Sequence, residues 1–174
     1  MPDKIDDANG ALGEFAKNRD INTLEKAVDA IEEFDFWSVK PEERLAARRR
    51  LLLTCAKVLV AIDGIKDPSY DPKSPPSMYP SPPPGYPAGV TPQSVRDPAA
   101  RARYEAAIAG NEKKKAARRT QLLAEEFENR AVEKTRRIIE RLYTSSAADQ
   151  KEIEAVFEEA RLSPARRQQV RSAN

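Results

Sequence analysis

The prolines of this chain are spread so unevenly that they constrain everything else. Ten of the 14 fall between residues 65 and 95, and none lies between Pro98 and Pro164. No helix or central strand survives the first density, because each proline removes an N–H donor and its ring clashes with the preceding turn. The second stretch opens on Asp97-Pro98, where an Asp side chain caps free N–H groups and proline at the first helical position loses nothing. Read as one helix from Asp97 to Tyr143, it is roughly 70 Å long. A compact domain of this chain length has a radius of gyration of only about 16 Å. The helix therefore either breaks or makes the molecule elongated.

Two patterns share that stretch. Ala99, Ala102, Ala106, Ala109, Lys113, Ala116, Thr120, Leu123 and Phe127 form a seam at 3-4 spacing, continued through Ala131, Thr135, Ile138 and Leu142. Small side chains along one face allow a close neighbour. Tyr104 and Ile108 point to the opposite side. Gly110-Asn111 is a potential helix end, but a glycine inside a helix costs only about 1 kcal/mol. The seam keeps its phase across Gly110, which predicts one continuous helix.

The segment 65–95 is long for a structureless loop inside a compact domain. It carries P-x-x-P spacings at Pro72 and Pro75, Pro80 and Pro83, and Pro84 and Pro87. One reading is a polyproline ligand for a partner domain; another is a flexible linker. Tyr70, Met78, Tyr79 and Tyr86 lie among the prolines, and a solvated linker has no need of them. The favoured reading is a strap folded back along the long helix, with Tyr79 or Tyr86 against the region of Tyr104.

Before the strap, residues 4–18 suit a short helix, with Ile5, Ala8, Leu12, Phe15 and Ala16 as its apolar positions. Asn22 followed by Glu25 resembles a capping box, and the helix after it carries Leu24, Ala27, Val28, Ile31 and Phe34 on one face. Phe34, Phe36 and Trp37 follow as an aromatic corner; packing into the core is the ordinary role of such rings, a stacking platform the sharper one. Pro41 opens a third helix that ends at Gly64. Its stripe is Leu45, Leu52, Ala56 and Leu59, widened by Leu53, Val58, Val60 and Ile62, and from Leu51 to Ile62 it is apolar on nearly every side, as expected of a central helix. It is expected to pack on the seam. Beyond the long helix, Ser146 and Ser163-Pro164 start two short helices, a small C-terminal hairpin over residues 145–174 with a frayed end. No internal repeat is evident.

Charge is asymmetric. Residues 1–40 hold 5 basic and 10 acidic side chains, whereas residues 96–143 hold 13 and 8. The densest basic part is Lys113, Lys114, Lys115, Arg118 and Arg119, a candidate phosphate-binding face or a solvated one. The whole chain is only +2, so no polyanionic partner is obligatory. Catalysis has little support. There is no histidine, so the commonest general base and zinc ligand is missing, and no nucleophile-elbow, P-loop or dinucleotide motif occurs. Glu126 with Arg130, and Glu133 with Arg137, have the spacing of helix-surface ion pairs. Cys55 is the only cysteine and reads as a small buried apolar residue.

No apolar run is long enough to span a bilayer, and the start Met1-Pro2-Asp3-Lys4 leads into polar sequence; the reading is a cytoplasmic protein, and the sequence is equally compatible with a signal peptide removed beforehand. These features predict an all-α, elongated helical bundle in a single domain of five or six helices, with one long helix (about 97–143) and a proline-rich strap (about 65–95). The expected function is a non-catalytic scaffold or protein-interaction module without cofactor or metal. Tyr79 and Tyr86 are its candidate partner-binding residues. The alternative is nucleic-acid binding through Lys114, Lys115, Arg118 and Arg119. The seam also offers a surface for a homo-oligomer.

Overall fold

Short polar side chains start most of the helices. In the computed structural model, which describes residues 3–67 and 69–171, six α-helices appear: α1 Lys4–Asn18, α2 Ile21–Glu33, α3 Arg44–Asp63, α4 Pro98–Leu142, α5 Ala147–Ala160 and α6 Pro164–Arg171. The Met1-Pro2 start, Pro68 and the last three residues, where a frayed end is expected, lie outside the described residues. Asp3, Asp20, Asp97 and Ser146 each accept from a backbone N–H in the first turn of α1, α2, α4 and α5. Asp20, not Asn22, caps α2; Asn22 donates its own N–H to the Asp20 carboxylate. The all-α expectation holds, and the long helix runs unbroken through Gly110.

Contacts divide the chain into two compact units, one of Met1–Lys66 with Ala124–Asn174 and one of Asp67–Leu123. In the first, α1 and α2 form a hairpin closed by Arg19, whose left-handed backbone (φ 55°) returns its N–H to the Phe15 carbonyl. Helix α3 packs on α1, α2 and α5. It is buried at Leu51, Leu52, Thr54, Cys55, Ala56, Val58, Leu59 and Ile62, as an all-round apolar helix must be. Leu45 departs from the expected stripe and is 71% exposed, because the cover over α3 begins only at Ala47. Phe127, Ala131, Thr135 and Ile138 of α4 complete this core with Ile153, Val156, Phe157 and Leu162. The α3 face of the seam is marked by Cys55, whose thiol lies beside Thr135 and is pushed up to about 12 by burial.

Arginines tie the helices together from their edges. Arg166 of α6, 5% exposed, reaches Asp63 at the end of α3, Glu128 of α4 and the Gln169 side chain. Burial opposes the charge on Glu128, but Arg166 and Lys66 outweigh it and hold the carboxyl below its ordinary range. Arg130 joins α4 to Asp29 and Glu32 of α2, and only more loosely to Glu126 at 3.9 Å. Arg48 binds Asp149, Glu152 and the Leu142 carbonyl while its guanidinium lies 4.0 Å over the Tyr143 ring. Breaking a buried, shared ion pair leaves the other charges unpaired, which costs more than the intact pair contributes.

Leu52 is fully buried at the centre of this unit. Leu52→Ala is expected to cost roughly 2–5 kcal/mol, read as a lowered denaturant midpoint at unchanged slope.

Candidate functional site

The second unit is ordered by turns and by one side chain of α4. Backbone N–H groups of Tyr70, Ser74, Tyr86, Val90 and Ser94 each return to the carbonyl three residues before. Two of these turns repeat one pattern, Pro83-Pro84-Gly85-Tyr86 and Pro87-Ala88-Gly89-Val90, with φ of 88° at Gly85 and 82° at Gly89. Proline and alanine at the second position have negative φ, which makes both turns type II, the class that wants glycine third. The expected polyproline strap is thus partly a folded ribbon, and the short repeat escaped the sequence reading because its period is only four residues.

The segment docks on α4, as expected, but through other atoms. Asn111 accepts the Ser77 N–H at 2.7 Å and donates to the Ser77 carbonyl at 2.8 Å. A side-chain amide has the donor and acceptor of a peptide group, so it pairs with both groups of one residue; the flipped amide would set donor against donor. Lys114 Nζ donates to Ser74 Oγ at 2.8 Å. Buried Tyr104 donates its hydroxyl to the Val90 carbonyl at 2.9 Å. Arg101 reaches the carbonyls of Gln93 and Val95. The chain therefore runs antiparallel to α4, since Ser74 lies by Lys114, Ser77 by Asn111 and Val90 by Tyr104.

Of the two tyrosines expected to dock, Tyr79 does not. Tyr86 is half-buried and its hydroxyl accepts the Arg96 N–H at 3.1 Å. Tyr79 is 80% exposed, as is Met78. Pinning Ser77 by its backbone turns these neighbours outward. The seam residues Ala99, Ala102, Ala106, Ala109 and Ala116 are likewise exposed, so the expectation that the seam is covered holds only from Phe127 onward. In the second unit the segment takes the face of Tyr104 and Asn111, where donors and a large ring meet a proline-rich chain.

The basic cluster is mostly solvated. Lys113, Lys114, Arg118 and Arg119 are exposed; Lys115 is half-buried and paired with Glu112 at 3.2 Å. Lys113, Arg118 and Arg119 have no carboxylate partner among the described residues.

A second concave feature lies in the first unit, a groove of about 590 Å³ where the end of α2 and the 3-10 turn Phe36–Ser38 face α4. The aromatic corner splits here. Phe34 is buried, Phe36 is half-buried, and Trp37 is 63% exposed, because a three-residue turn swings successive side chains by about 120°. Trp37 meets the Phe36 ring edge-on and carries the Arg44 guanidinium 5.4 Å from its centroid. Opposite stands Lys134, half-buried, directed at the Glu32 and Phe34 carbonyls at 3.4 Å each. Desolvation holds its ammonium pKa below the ordinary lysine value. No sequence signal marked this groove beyond the aromatic corner, since Lys134 sits in a run of similar charges.

Among the described residues no group of His, Cys, Asp and Glu is placed to hold a metal ion, and no helix is long and apolar enough to cross a membrane. Comparison of the chain with protein-family models, with curated proteins and with solved structures finds no match.

Charge reversal at Lys114 and Arg118 is expected to shift Tm by no more than about 4 °C, because both side chains are exposed. A larger loss on calorimetry would mean that this face is covered.

Proposed function

We propose that the protein is a non-catalytic interaction module that presents Met78 and Tyr79 as a preorganised recognition element for a protein partner with an apolar cleft. The observation that carries this reading is the pairing of the buried Asn111 amide with both backbone groups of Ser77, directly before two large apolar side chains that are each 80% exposed. Large exposed side chains are unfavourable in water, and a fixed backbone lowers the ordering cost of binding. Pro80, Pro82 and Pro83 follow at once and stiffen the same element. Aromatic anchors of this kind supply most of the energy in protein interfaces.

A second reading rests on Lys113, Arg118 and Arg119, which have no carboxylate partner among the described residues. They suit a phosphate backbone, whose binding weakens steeply with salt.

The test compares three full-length proteins in extract of the source cells at physiological salt: wild type, Met78→Ala with Tyr79→Ala, and Lys113→Glu with Arg118→Glu and Arg119→Glu. The proposal expects a partner held by wild type and by the charge-reversed protein, with affinity at least tenfold lower for the Met78/Tyr79 variant at unchanged Tm. Equal capture by all three overturns it. Retention on DNA that is lost only on charge reversal establishes the second reading instead.

A further inference from the structure

Independently of the strap, we infer that the groove beside Trp37 is a binding site for a small aromatic monoanion, its ring against Trp37 and Phe36 and its carboxylate at Lys134 and Arg141. The volume, about 590 Å³, falls within the range of small-molecule sites, roughly 300–1,000 Å³. The chemistry of its walls is divided as such a ligand requires. One side is aromatic, with Phe34 as floor and Phe36 and Trp37 as lip. Most of the Trp37 ring is open to solvent although Arg44 and Phe36 already touch it. A large ring left 63% exposed at the rim of a cleft offers stacking area beyond what Arg44 and Phe36 cover.

The other side is cationic, and the pairing of its charges sets the ligand's charge. Arg130 is bound to Asp29 and Glu32, and Arg137 to Glu133 at 2.9 Å. Lys134 and Arg141 have no carboxylate within ion-pair distance among the described residues. Asp35 also lines the groove and its carboxylate is engaged by the Trp37 N–H at 3.0 Å. Counting the lining side chains, Glu32, Asp35 and Glu133 stand against Arg130, Lys134, Arg137 and Arg141, an excess of one positive charge. Lys134 has three N–H donors and two carbonyl acceptors, both at the long distance of 3.4 Å. One donor remains for a ligand oxygen. Desolvation already bears on this ammonium, and an anion placed beside it offsets that penalty.

The experiment uses the chain's single tryptophan. The full-length ¹⁵N-labelled protein gives one indole N–H cross-peak, from Trp37, and is titrated with 2-naphthoate, with neutral 2-naphthylmethanol and with acetate, alongside calorimetry. The expected result is a saturable shift of that cross-peak with one 2-naphthoate bound, and no saturation by the alcohol or acetate over the same concentrations. Affinity for 2-naphthoate falls at least tenfold in Lys134→Met and at least threefold in Arg141→Gln, and is unchanged in the Met78/Tyr79 variant. Lys134→Met keeps the aliphatic stem; should it melt early, the exposed Arg141→Gln decides alone. The inference is overturned by no saturable indole shift up to millimolar 2-naphthoate, by equal binding of the alcohol, or by affinity unchanged in the Arg141→Gln protein.

Discussion

A segment with ten prolines between residues 65 and 95 is poor in backbone donors and cannot order itself by a helix or a sheet. Its order has to come from turns that tolerate proline and from side chains that reach its carbonyls. Both are present. Two type II turns shorten the segment around Gly85 and Gly89, and Asn111, Tyr104, Arg101 and Lys114 meet it from α4. Each neutral hydrogen bond adds only about 0.5–1.5 kcal/mol net. Little more is needed, because prolines have few conformations left to lose. Met78 and Tyr79, not required for this anchoring, are the segment's large apolar side chains left most exposed.

The first unit solves a different problem. Its core is conventional, with α3 enclosed on nearly all sides, and its specificity lies in arginines at the margins. Arg166, Arg130 and Arg48 each bind carboxylates from other helices. Their forked guanidinium groups satisfy several acceptors at fixed angles. In the groove by Trp37, Arg130 and Arg137 keep such partners, whereas Lys134 caps the main chain at the end of α2 instead of a carboxylate. Packing alone gives no reason for an open tryptophan in one cleft with a half-buried ammonium that has no carboxylate at ion-pair distance among the described residues.

Helix content and the central role of α3 were legible because 3-4 spacing and caps are local signals. The unbroken α4 was legible for the same reason. Tyr104, off the seam, correctly marked the face that receives the strap. The atoms that hold the strap were not legible. Asn111 reads as a helix-ending residue after Gly110, and only a tertiary partner shows that its amide faces another backbone. Trp37 was placed in the core because apolar rings usually go there; the 3-10 turn that rotates it outward depends on its contact with Arg44 and on Asp35 accepting its N–H. Arg166 is buried although nothing in its short, polar helix distinguishes it from Arg167, since its acceptors, Asp63 and Glu128, are distant in sequence.

The central claim is that Asn111 fixes the segment around Ser77 and so presents Met78 and Tyr79. Backbone ¹⁵N relaxation of residues 74–90 in wild type and in Asn111→Ala measures this directly. The account predicts order parameters close to the rigid-backbone value of about 0.85 in wild type, falling below about 0.6 around Ser77 when the amide is removed. Values below about 0.6 already in wild type, or no change on removing the amide, would contradict it.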